Sequence, residues 1–149
     1  MRLKLPVDAE AGRRYGRHMP GHKDTLKQRY EKFSQGDLEG ALDLWTDDFV
    51  WDGANASDLP GSGHHEGKQQ AIQVLQQAVG AWDSFSLTPD EFYEDGDTVV
   101  VLGHTDLAKG ERTASVPVVH IWRFDGDGNI TRLQILTDTL ESARLLGIA

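Results

Sequence analysis

Two histidines and an aspartate, His104, Asp106 and His120, stand on neighbouring strand-like runs of the chain. Together they have the makings of an acid–base site. An imidazole with an unperturbed pKa of about 6.5 gives and takes protons near neutrality. A carboxylate bound to one ring nitrogen fixes the tautomer and leaves the other nitrogen to serve a bound compound. The same three groups could hold a divalent metal with open positions. Alternatively, His104 and Asp106 are solvated and His120 is a satisfied core histidine. With no cysteine, a thiol nucleophile, a disulfide framework and a thiolate metal site are all excluded. His64-His65-Glu66 lies in a Gly/Ser-rich stretch and reads as solvated. Asp125-Gly126-Asp127-Gly128 has the acidic spacing of half a calcium loop without its closing Glu, and reads as a hairpin turn.

Alternation decides what these groups face, because residues two apart on a strand share a side. Four period-two runs, 84–93, 98–108, 113–124 and 130–137, are separated by turn signals such as Asp95-Gly96. In the third, Val116, Val118, His120, Trp122 and Phe124 share one face and Arg123 lies on the other, so His120 and Trp122 should point inward. Aligning the preceding run by its turn puts Leu102, His104, Asp106 and Ala108 on that inner face, with Asp106 orienting a histidine ring.

Ahead of the strands, Leu26, Tyr30 and Phe33 recur at helical spacing, and Asp37 caps a second helix carrying Ala41, Leu42 and Trp45. Phe49-Val50-Trp51 is a short strand, 53–67 a loop, 68–82 a helix with Ile72, Leu75 and Val79 inward, and 140–146 a last helix after a capping Asp138. Helices followed by antiparallel hairpins make an α+β domain. The expected ligand walls are Trp51, Trp122, Tyr30, Phe33, Ile135 and Thr137, with the Tyr30 hydroxyl pointing inward.

A length of 149 residues suits one domain. Residues 1–21 lack a sustained period and read as a basic arm, leaving 22–149 as the pocket domain. Within 1–29, eight Lys/Arg stand against three acidic residues, a balance of +5, so the rest of the −9 chain carries −14. An acidic body argues against a nucleic-acid partner. The longest apolar run, Val99–Leu102, is far short of a bilayer span, and no signal segment opens the chain. The expectation is a soluble, cytoplasmic protein without membrane contact.

Gln28-Arg29-Tyr30, Gly36-Asp37-Leu38-Glu39-Gly40 and Leu44-Trp45-Thr46-Asp47-Asp48, together with His120-Ile121-Trp122-Arg123-Phe124, Ile130-Thr131 and Asp138, resemble the nuclear transport factor 2-like superfamily. That superfamily includes ketosteroid isomerase and the SnoaL-like polyketide cyclases. The resemblance covers about residues 22–146. It implies a cone-shaped, strongly curved sheet closed by three helices, and a homodimer formed through the outer sheet face. It also places His120 where the isomerases carry an acidic donor to the substrate oxygen. Gly53 stands where their proton-abstracting aspartate would be, and Arg29 at their tyrosine. Against the limonene-epoxide hydrolases, Asp106 matches the acid of an Arg-x-Asp pair, but His104 replaces the arginine and Ile135 the second aspartate. Three functions stay open. One is an isomerase, cyclase or lyase working without a cofactor on a small apolar carbonyl compound through His120, Asp106 and His104. The others are a ligand-binding module and a dimeric interaction protein.

Overall fold

The computed structural model describes residues 21–149 apart from Ser57; the basic-arm expectation falls on residues outside these. Helix α1 (His22–Ser34) buries Leu26 and Tyr30, one turn apart, with Phe33 packed beside them. Its first backbone N–H groups have no cap of their own. The Glu94 carboxylate accepts from His22 N at 3.3 Å and Lys23 N at 3.0 Å, placing negative charge at the helix N-terminus.

The expected second helix is a single turn, α2 (Leu38–Ala41), capped by Asp37 Oδ1 on Gly40 N at 2.9 Å. Trp45 instead opens strand β1 (Trp45–Asp52), paired with Ile130. Gly40 weakens the helix, while a Trp/Thr/Phe/Val/Trp sequence suits a strand whose pairing partner lies far along the chain. Trp45 and Phe49 share the inner face by alternation, and the register shift between Trp45 and Val50 accompanies their stacking at 3.9 Å. The loop expected over 53–67 contains a strand, β2 (His64–Glu66), paired antiparallel with β1. Helix α3 (Lys68–Gly80) buries Ala71 and Val74 most deeply, with Ile72 and Leu75 partly buried against the core and Val79 half-buried.

Strands β3 (Ser84–Asp95), β4 (Thr98–Lys109), β5 (Arg112–Phe124) and β6 (Ile130–Thr137) complete one open six-stranded sheet in the order β2-β1-β6-β5-β4-β3. All pairs are antiparallel except β1 with β6. Helix α4 (Thr139–Leu146) follows, with Asp138 Oδ1 accepting from Glu141 N at 3.0 Å. The 125–128 run is a turn in which Asp125 Oδ1 accepts from Asp127 N and Asn129 N. This is an α+β cone-like architecture with its core on the concave face. Among the described residues no helix is long and apolar enough to cross a membrane.

The register of β4 differs from the expected one by a single residue. The two-residue turn at Gly110 (φ +62°) and Glu111 pairs Lys109 with Arg112, so each odd-numbered residue of β4 lies opposite an even-numbered one of β5. Val99, Val101, Thr105 and Leu107 therefore share the inner face with Val116, Val118, His120 and Trp122. A one-residue slip exchanges the faces of a whole strand, and the observed register buries two valines and a leucine instead of a carboxylate.

Candidate functional site

Under the helices the concave face encloses a cavity with two lobes. The first, about 100 Å³, is walled by Tyr30, Phe33, Trp45, Trp51, Leu87 and Trp122 among others. The second, about 110 Å³, lies towards the 53–63 loop and α4, against Trp82, Thr105, Val118 and Thr137. Trp51, Phe85, His120 and Ile135 line both.

The sequence-derived wall residues thus divide: Trp51 and Ile135 are common to the lobes, Tyr30, Phe33 and Trp122 belong to the first, and Thr137 to the second. Trp45, Trp82 and Phe85 were missing from that set. The helical reading of Trp45 hides its inward direction, Trp82 falls just past the end of α3, and Phe85 opens β3, a strand whose face no charged neighbour fixes at that point.

His120 is 8% exposed and sits between Val101 and Ile135 on the flanking strands. Its ring partner is Tyr30, not Asp106: the tyrosine oxygen lies 2.7 Å from His120 Nδ1 and 2.8 Å from Trp122 Nε1. Chemistry fixes the protons in this chain. An indole N–H can only donate, so Trp122 gives its hydrogen to the tyrosine oxygen. Tyr30 then pairs both its oxygen and its hydrogen by donating to Nδ1. His120 is therefore neutral with its proton on Nε2, which has no hydrogen-bond partner among the described residues.

Both titratable members resist ionisation. Burial pushes the His120 pKa down to about 4. Burial pushes the Tyr30 hydroxyl well above its ordinary value, against a smaller opposing effect of the Trp122 bond. Through the neutral range both side chains are uncharged.

His104 and Asp106 lie on the outer face of the sheet and do not share the cavity with His120, a direct result of the β4 register. His104 Nδ1 is 2.9 Å from Asp90, and Nε2 is 3.6 Å from Asp106. The Asp90 hydrogen bond chiefly raises the His104 pKa, with smaller help from the charges of Asp90 and Asp106. The sheet thus separates His120 from the other two members of the possible metal set. His64 bonds Glu66 at 3.0 Å on the surface, and His65 Nε2 lies 2.9 Å from Ser62 O. Arg29, a charged residue on the first lobe, is held by the Asp43 carboxylate at 3.1 and 3.0 Å.

Gly53 is required by close packing. A Cβ there would stand 2.0 Å from the Gly61 carbonyl oxygen, the same oxygen that accepts from Trp51 Nε1 at 2.8 Å. No side chain fits at Gly53.

The sequence matches the SnoaL-like domain family over residues 26–133. An NTF2-like protein of unknown function from Burkholderia pseudomallei is 31% identical, with 86% of this chain and 98% of that one covered and a TM-score of 0.77. TerC, crystallised with polyporic acid, is 27% identical over 85% of this chain and 98% of its own, at TM-score 0.76. A Burkholderia thailandensis NTF2-like protein, 21% identical over 86% and 98% at TM-score 0.76, supports the fold alone. No protein of curated function matches the sequence.

Proposed function

Because the chain belongs to the SnoaL-like domain family of the NTF2-like superfamily, we propose that its cavity takes a small, neutral, largely apolar carbonyl compound, whose oxygen accepts from His120 Nε2–H. The Trp122–Tyr30–His120 chain carries this proposal: it orients one uncharged donor towards a cavity whose first lobe is walled mostly by aromatic and aliphatic side chains. A preorganised donor stabilises negative charge developing on an oxygen. The corresponding chemistry is cofactor-free enolisation of the isomerase, cyclase or lyase kind. The α-carbon proton passes to solvent water, the C–H electron pair forms the new C=C bond, the carbonyl π pair moves onto oxygen, and His120 Nε2–H holds that oxygen.

One observation favours binding without turnover. No carboxylate lines either lobe among the described residues, so a protein base for the carbon proton is lacking. Exchange of α-hydrogens for solvent deuterium in apolar ketones, followed by NMR, separates the two functions. Accelerated exchange that is lost in His120→Phe supports the enzyme. Saturable binding without exchange supports the module. Absence of both overturns the proposal.

A second copy of the chain is the proposed partner for the outer sheet face. Leu102, Val119 and Leu136 form one row across β4, β5 and β6, and Tyr93, Val100 and Ile121 an adjacent row. Leu136 and Tyr93 are 50% and 54% exposed, and contiguous apolar surface of this kind marks an interface.

A further inference from the structure

We infer, building on the carbonyl-compound proposal, that the ligand carries its oxygen centrally, between an apolar arm in the first lobe and a second arm, tolerant of a hydroxyl, in the other. His120 is one of four residues common to the two lobes, so its donor stands at the waist and not at the blind end of either. A terminal aldehyde or carboxylate would reach this donor while filling one lobe only. A ketone or enol flanked by two substituents reaches it while filling both.

Volume limits the arms. Each lobe, at about 100 or 110 Å³, is smaller than the roughly 150 Å³ closed cavity known to accept benzene, but each is partly open, so no more than one ring or branched alkyl group seats in each, with the remainder projecting outward.

The lobes differ chemically. Around the first, away from the waist, the walls are mostly carbon; their polar groups are the Tyr30 hydroxyl, already engaged twice, the Trp122 and Trp45 indole N–H groups, and Arg29, held by Asp43. The second has hydroxyl groups on Thr105, Thr137 and Ser142 that donate to the backbone oxygens of Val116, Pro117 and Asp138. With their hydrogens committed, these oxygens offer lone pairs, so they suit a ligand hydroxyl that donates. The arms are consequently unlike, and the ligand has a preferred direction.

Isothermal titration of the full chain with four probes tests this: benzophenone (two rings, central oxygen), 4-hydroxybenzophenone, diphenylmethane (two rings, no oxygen) and benzaldehyde (one ring, terminal oxygen). Benzophenone should bind about tenfold more tightly than either diphenylmethane or benzaldehyde, and the hydroxylated ketone several-fold more tightly again, as a single added hydrogen bond or occupied lobe implies. Isotope-filtered NOEs, which need no variant, should connect one ring to Leu87 and the other to Val118. Equal affinity for benzaldehyde and benzophenone, or both rings near the same lobe, overturns the two-arm inference and leaves the donor intact. Equal affinity for benzophenone and diphenylmethane overturns the donor itself. No binding of any probe overturns both.

Discussion

Tyr30 and His120, 90 residues apart in the chain, meet through a 2.7 Å hydrogen bond that engages Nδ1 and leaves Nε2 without a protein partner among the described residues. The first depends on the period of a helix, the second on the pleat of a strand, and Trp122 fixes the direction of the hydrogen between them.

Replacing Tyr30 with Phe keeps the ring and removes the oxygen that serves both partners. Two buried polar groups are then unpaired, each costing about 1–3 kcal/mol. Chemical denaturation should show a loss of about 3 kcal/mol. Nitrogen-15 spectra of the imidazole should change from the pure Nε2–H tautomer in the wild type to a mixture.

Acid should destabilise the protein through His120. Its folded pKa of about 4 lies below the unfolded value of 6.5, so between these limits the unfolded chain takes up a proton that the folded chain refuses. Stability therefore falls as pH drops through this window, by about 1.4 kcal/mol per unit and about 3 kcal/mol in all. Urea midpoints measured at pH 7, 5.5 and 4.5 should show this slope, and His120→Phe should flatten it.

On the outer face the opposite sign applies. The His104 pKa is raised, so its small contribution is present below the unfolded pKa and fades as pH rises through the folded one. Asp90→Asn should bring the His104 titration down more than Asp106→Asn does, and neither should move His120. Ligand affinity should change by less than about twofold in both variants, since the sheet intervenes and exposed pairs contribute little.

Gly53→Ala should cost about 1–3 kcal/mol, because its Cβ meets a backbone oxygen at 2.0 Å and that oxygen also anchors Trp51. Thermal melting measures the cost. Amide exchange should quicken in the 53–63 loop before the sheet is affected.

If the outer face joins two copies as proposed, the wild-type chain should sediment as a dimer and the paired substitutions Val119→Lys and Leu136→Lys, on directly opposed residues of that face, as a monomer with the cavity intact.

Much of this was visible in the residues themselves. Arg123 could not share a face with the core, so the inward direction of His120 and Trp122 followed from one charged neighbour, and the spacing of Leu26, Tyr30 and Phe33 oriented α1. Asp37, Asp138 and the turn at Asp125 declared themselves because their roles are local. The failures were non-local. His104 and Asp106 looked inward because strand alternation has only two phases, and the phase of β4 is set at the Gly110–Glu111 turn. Strand β2 has no apolar period; its identity comes from pairing with β1. The partner of His120 was misassigned for the same reason: a carboxylate two residues along a neighbouring strand run looks closer in sequence than a tyrosine on the first helix.

All four tryptophans of the chain, Trp45, Trp51, Trp82 and Trp122, line one or both lobes. The cavity therefore doubles as an optical reporter. Nearly all of the protein's ultraviolet emission originates at the walls a ligand would touch, and an absorbing aromatic guest would quench it by energy transfer from several directions at once. Light from the unmodified chain can register occupancy, without a label and before any chemistry is known.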